Sequence, residues 1–302
     1  MEGPMKDKLI FLVRFIVLTV LYFICFAAVS AAVFSSSAGQ PAGEQTNATL
    51  ALFVVSCLNT AVLAYVILRS RWAGWKLVVA LFVVLFGITT VMSQIETAFF
   101  LNRLPPGTLP RIFLSGAIVA ALFSSLAVLV LGKRKLHGAD SKVSSLAKMP
   151  VSEWVWKVAV IVTVYVILYF TFGYFIAWQN AAVRAYYGGS DPGSFLSQMV
   201  KTLRDTPWLL PLQVARGMLW TALAVLVIRM LRVRWWEAAL AVALLFGVVM
   251  NTQLLIPNPF MPQEVRMVHL IETASSNFLF GFILVLVLCS GSKYLGKVSK
   301  PA

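Results

Sequence analysis

The chain has 302 residues, of which 60% are hydrophobic and only 12% charged, a balance outside the range of soluble globular domains. Its 25 Lys and Arg against 11 Asp and Glu, a net +14, would suit a nucleic-acid partner only if the bases lined a folded polar surface, and the long apolar runs leave hardly any. Disorder, a secreted disulfide scaffold and a soluble enzyme on one anchor are excluded, and the chain reads as an all-α polytopic membrane protein.

A helix that crosses the hydrocarbon needs about 20 mostly apolar residues, because lipid offers no partner to an unpaired backbone group. Eight stretches qualify, near 9–33, 49–68, 76–100, 112–132, 154–178, 209–228, 236–256 and 267–289. The first follows a short basic start and ends in small residues over 27–32, as a secretory signal would. Arg14 interrupts that start, however, and the segment has a counterpart later in the chain, so it is expected to stay as a span. Asn47, Ala48 and Thr49 after it spell a glycosylation sequon, which is weak by itself. Pro105, Pro106 and Pro110 crowd the connection between spans 3 and 4, as Pro257, Pro259 and Pro262 crowd that between spans 7 and 8, making both turns rigid.

The longest connector, 179–208, is too short for a soluble catalytic domain. Within it Asp191 and Pro192 read as an N-cap and first helical residue, and Phe195, Leu196, Met199, Val200 and Leu203 recur at helical spacing. An outer interfacial helix near 192–205 is predicted, flanked at headgroup depth by Trp178, Tyr186, Tyr187 and Trp208. It would act as a lid or as a static cap.

Lys and Arg beside a span are retained on the cytoplasmic side. With both termini inside, 18 of the 25 bases fall on inner segments and only Arg103, Arg111, Arg184, Lys201, Arg204, Arg216 and Arg266 on outer ones. The expected topology is therefore N-in/C-in, and the short connectors fit a bacterial plasma membrane. A shift of 160 residues lays 63–87 on 223–247, matching Leu63, Ala64, Arg69, Trp75 and the triplet Leu85, Phe86 and Gly87. A shift of 147 matches Leu21, Tyr22 and Phe23 with Leu168, Tyr169 and Phe170, and one of 155 matches Arg111 with Arg266. The eight spans are thus expected to form two parallel four-helix repeats (4+4), 1–146 and 147–302, each beginning and ending on the same side and related by an axis along the membrane normal.

Polar side chains inside lipid are costly unless paired or wet, so their positions point to function. The inner halves of the spans are nearly pure Leu, Val, Ala and Phe. The outer ends carry Gln94 and Glu96 on span 3, Arg111 at the start of span 4, Gln213 and Arg216 on span 6, and Asn251 and Gln253 on span 7. Span 8 adds Arg266, His269, Glu272, Ser275, Ser276 and Asn277. Residues three and four apart share a helix face, so Arg266, His269, Glu272 and Ser276 form one stripe, as do Gln213 and Arg216. A polar cavity open to the outer side is expected between the repeats, with Gln94, Glu96, Arg111, Gln213, Arg216, Gln253, Arg266, His269 and Glu272 as substrate-binding residues. The arginines would hold a polar or anionic small ligand and a glutamate would take up protons, as in a transporter or ligand-binding protein.

The same network also suits a non-catalytic integral subunit or scaffold that holds membrane-protein partners, its ion pairs locking the repeats together. A third reading is an intramembrane enzyme acting on a lipid headgroup through Glu96, His269 and Glu272 as acid or base. His269 and Glu272 have a spacing that metal ligands use, but the only other histidine is His137, on the opposite side, so no metal is expected. Cys25, Cys57 and Cys289 stand singly, and no nucleophile elbow, His-Glu-x-x-His or phosphate loop is present. Beyond membrane lipid no cofactor and no nucleic acid is expected.

Overall fold

The computed structural model describes residues 3–34, 42–100, 104–135 and 149–290. Among them every element is helical: α1 (Gly3–Phe34), α2 (Ala42–Leu68), α3 (Gly74–Phe86), α4 (Ser93–Phe100), α5 (Thr108–Val130), α6 (Val151–Phe172), α7 (Ala181–Tyr187), α8 (Phe195–Asp205), α9 (Leu209–Met230), α10 (Trp235–Leu244) and α11 (Gln263–Cys289). Eight helical stretches are long and apolar enough to cross a membrane: Met5–Phe34, Asn47–Leu68, Gly74–Phe99, Thr108–Val130, Val151–Ala177, Leu209–Met230, Trp235–Leu255 and Gln263–Cys289. This is the architecture of a multi-pass membrane protein, and each stretch falls where hydropathy places a span. Arg103, His137, Lys142, Lys148, Lys293, Lys297 and Lys300 lie outside the described residues.

Three of the eight are not uniform α-helix. A π turn, Gly87–Met92, joins α3 to α4; another, Gly173–Ala177, extends α6; a third, Leu245–Val249, follows α10. A π turn displaces backbone carbonyls from their usual partners and commonly marks a functional or strained position. Gly87 and Gly247, the last residues of the two Leu-Phe-Gly triplets, both lie in such turns.

The chain forms two compact units. Unit 1 comprises 1–140 with Met230–Arg232 and Leu255–Pro257; unit 2 comprises 141–229, 233–254 and 258–302. In unit 1, α5 is the hub, packed on α1 and α3. Gly116 of α5 lies so close to the π turn of span 3 that a Cβ there would sit 2.1 Å from Thr90 Oγ1. In unit 2, α11 is the hub, packed on α6, α10 and the third π turn. A Cβ on Gly281 would meet the Ala243 backbone at 2.9 Å, and one on Gly247 the Ala274 carbonyl at 3.0 Å. Small residues let helix backbones approach closely where hydrophobic driving force between helices is lacking.

The 178–208 connector differs in detail from its sequence reading. The short helix α7 precedes α8, its first amides capped by Asn180 Oδ1 at 2.8 and 3.1 Å. The predicted helix near 192–205 begins at Phe195, capped by Ser194. Asp191 instead accepts the Gly193 amide at 2.9 Å, closing a turn in which Gly193 has φ +63°, a conformation that glycine adopts without a Cβ penalty.

Candidate functional site

Unit 2 holds six of the nine candidate residues, and five of them form three separate arrangements. On α11, His269 and Glu272 are one turn apart, and Nδ1 lies 2.7 Å from Glu272 Oε2. The other ring nitrogen, Nε2, is hydrogen-bonded to Tyr187 OH at 3.2 Å, and the two rings meet edge to face with centroids 5.7 Å apart. Both nitrogens are therefore engaged, one by a phenol and one by a carboxylate, which fixes the imidazole plane. The pair keeps some access to its surroundings, with 18% of the His269 side chain and 12% of the Glu272 side chain exposed. Glu272 Oε1 faces Gly173, where a Cβ would come to 3.5 Å, so the carboxylate lies against the opening residue of the second π turn.

One turn further, Thr273 Oγ1 is within reach of the His269 carbonyl at 2.5 Å and of Asn251 Oδ1 at 2.6 Å. Asn251 Nδ2 donates to the Phe246 and Gly247 carbonyls, both at 3.0 Å. Those carbonyls belong to the third π turn, so one buried amide satisfies backbone acceptors that the turn releases and passes its position on to α11. Sequence reasoning marks Asn251 only as a polar residue on a span; the Leu-Phe-Gly stretch before it is the available signal that the helix is irregular there.

The second arrangement centres on Gln213, which is fully buried. Its Oε1 accepts from Arg216 Nη1 at 3.0 Å and from Tyr165 OH at 3.2 Å, and the guanidinium carbon lies 5.9 Å from the Tyr165 ring centre. Tyr165 also packs on Phe280 of α11, centroids 5.0 Å apart. The third is Arg266, whose Nη1 donates to the Leu254 carbonyl at 2.9 Å. Arg216 and Arg266 are 5% and 4% exposed, so both arginines are engaged by unit 2's own groups. Gln253 is half-buried.

In unit 1, Gln94 and Glu96 on α4 are half-buried and Arg111 at the start of α5 is exposed. Gln94 Nε2 donates to Ser93 Oγ at 3.4 Å. A polar group that sequence reasoning passes over lies deeper: Asn59 Nδ2 donates to Tyr22 OH at 2.9 Å, and Tyr22 packs edge-on against Phe123, centroids 4.8 Å apart. The hydroxyls of Thr19, Thr60 and Ser124 are buried without a hydrogen-bond partner. A cavity of about 500 Å³ lies between α1 and α2, but Val20, Phe23, Leu50 and Phe53 make its lining apolar apart from Thr49. Among the described residues no group of three or more His, Cys, Asp or Glu is placed to hold a metal ion.

Comparison with known protein families, with curated proteins and with solved structures gives no match.

Proposed function

We propose that this chain is an integral membrane transporter or ligand-binding protein, resident in a bacterial plasma membrane, whose ligand-handling groups are Tyr187, His269 and Glu272. The observation that carries this reading is the relay itself. A phenol, an imidazole and a carboxylate stand in hydrogen-bonded series within or beside a span, partly accessible and braced by a π turn on each neighbouring helix. Ionisable groups at such depth are expensive and are most readily accounted for by proton or ligand traffic. The relay, and not Arg216 or Arg266, supplies the polar contacts for a small polar or anionic ligand. Two four-helix repeats in N-in/C-in topology complete the proposal. They are supported by the repeated arrangement of a Tyr on the first span, an amide on the second and a Phe on the fourth, met as Tyr22, Asn59 and Phe123 and as Tyr165, Gln213 and Phe280.

Thermal unfolding of the purified protein against a panel of small organic anions and zwitterions tests this. At least one compound should raise the melting temperature of the wild type and leave Glu272→Gln unmoved, while that variant still inserts and folds. If no compound shifts the wild type and Glu272→Gln or His269→Gln simply melts earlier, the network is structural. The chain is then better read as a non-catalytic subunit or scaffold, a reading that the internal Nη1 hydrogen bonds of Arg216 and Arg266 already favour.

A further inference from the structure

Unit 1 gathers cations at one end, and local backbone geometry fixes them there. Ser70 and Leu231 form an isolated antiparallel bridge, in which Arg71 N donates to the Met230 carbonyl at 2.9 Å and Arg232 N to the Arg69 carbonyl at 3.0 Å. The α5 end joins the same crossing: Lys133 Nζ donates to the Ser70 carbonyl at 3.0 Å, and the Lys133 carbonyl accepts from Gly74 N at 2.8 Å. Gly74 has φ +57°, and a Cβ there would meet the Arg134 carbonyl at 2.8 Å, so only glycine allows this approach. Arg14 reaches the crossing from α1, its guanidinium nitrogens 3.7 and 3.8 Å from where a Gly132 Cβ would lie. The crossing itself, 69–74, 131–135 and 230–232, contains no acidic residue, and Asp7, seven residues before Arg14, is the acid that α1 carries among the described residues.

Two features turn this concentration of charge toward lipid. Arg14 is exposed among Leu12, Val13, Ile16 and Val17, all themselves exposed, so its guanidinium stands on a wall built for acyl chains and must reach an anion or water at the headgroup layer. Trp75, 78% exposed, lies beside Lys76, and exposed tryptophan is the side chain that membrane interfaces collect. Lys76 and Arg69 are held over the Trp72 and Tyr65 rings at 4.3 and 4.1 Å, which limits their reach. Arg134 and Lys135 extend from the same turn as exposed side chains.

We infer that the crossing of the α2–α3 turn, the α5 end and α1 is a binding site for the phosphodiester headgroup of an anionic phospholipid, with Arg14, Arg134 and Lys135 as its principal donors. Basic clusters between spans are suited to such headgroups because several donors converge on one phosphate while the flanking apolar wall takes the acyl chains. The Lys133 ammonium fits this setting, since burial holds it below the ordinary lysine value and a bound phosphate would restore it.

The test uses the full chain in a neutral detergent, titrated with phosphatidylglycerol, with phosphatidylcholine and with inorganic phosphate, read by melting temperature and by native mass spectrometry. Phosphatidylglycerol alone should raise the melting temperature and remain bound on ionisation. The triple variant Arg14→Gln, Arg134→Gln, Lys135→Gln should lose at least half of that shift and the retained lipid, whereas Lys201→Gln with Arg204→Gln on α8 should keep both. Equal effects from phosphatidylcholine would overturn the proposal, as would an equal shift from inorganic phosphate. So would loss of the phosphatidylglycerol effect in the α8 variant but not in the triple variant. All three donors are exposed, so the triple variant is expected to fold, and a bound-lipid count on its folded fraction decides the matter if its melting point falls.

Discussion

Lys157 shows how much a base that the sequence counts only toward topology can do inside the fold. It counts among the bases expected on the inner side, yet it is fully buried, its Nζ donating to the Leu288 and Ser290 carbonyls at 3.0 and 2.6 Å and pairing with Glu153 at 2.8 Å. A cation there satisfies the last carbonyls of α11 and opposes the negative end of its dipole. Lys157→Met should lower stability by about 1–3 kcal/mol, the usual cost of leaving buried acceptors unmet, measured by thermal unfolding. Adding Glu153→Gln should recover little, because Glu153 is 26% exposed and water can replace its partner; recovery of most of the loss would show that the ion pair dominates instead. The opposite sign is expected at Ser124. Its hydroxyl is buried and unpartnered beside a gap with no room for a water, otherwise lined by Leu, Ile, Phe and Ala, and a buried hydroxyl without a partner is costly. Ser124→Ala should be neutral or raise the melting temperature, and a clear fall would mean that the hydroxyl makes a hydrogen bond within the bundle.

At the scale of elements, the spans were legible because the lipid constraint acts on every backbone group and so writes itself into long runs of composition. The π turns were not, since a single inserted residue changes no average; only Gly87, Gly173 and Gly247 hint at them. Nor was the bracing of the candidate site, for Asn251, Thr273 and Gly173 reach it from three different helices, and a helical stripe relates only residues on one. The stripe did place His269 with Glu272, one turn apart, but it could not show that Arg266 turns to a carbonyl 12 residues earlier. The contact of α5 with the first π turn is open to a direct check. Gly116→Ala would set its Cβ 2.1 Å from Thr90 Oγ1 and 3.0 Å from Thr90 Cβ, and forcing a methyl into packed structure costs about 1–3 kcal/mol. The melting temperature should fall accordingly, and Thr90→Ala in the same chain should restore most of it. An unchanged melting point in Gly116→Ala would show that the two helices do not meet there.

At the scale of the whole molecule, charge and amphipathicity make separable demands on orientation. The proposed topology, argued from the bias of bases, has the N-terminus on the cytoplasmic side. On that proposal α8, which five spans precede, is expected on the outer surface. Its own chemistry fits an interface on either side: Leu196 and Val200 are 74% and 61% exposed, Ser197, Lys201 and Arg204 are also exposed, and an apolar stripe beside a basic one suits a helix lying in the membrane plane. Labelling separates what composition joins. In a chain with Cys25, Cys57 and Cys289 replaced by alanine, Ser197→Cys should react with an impermeant maleimide on intact cells, while Asp7→Cys should react only after permeabilisation. Removing Asp7 leaves the excess of bases intact, so the probe does not disturb the signal it reads. Reaction of both positions from outside would require an odd number of spans before α8 to be abandoned, and reversal of the pair would invert the topology and turn the Tyr187, His269 and Glu272 relay toward the cytoplasm.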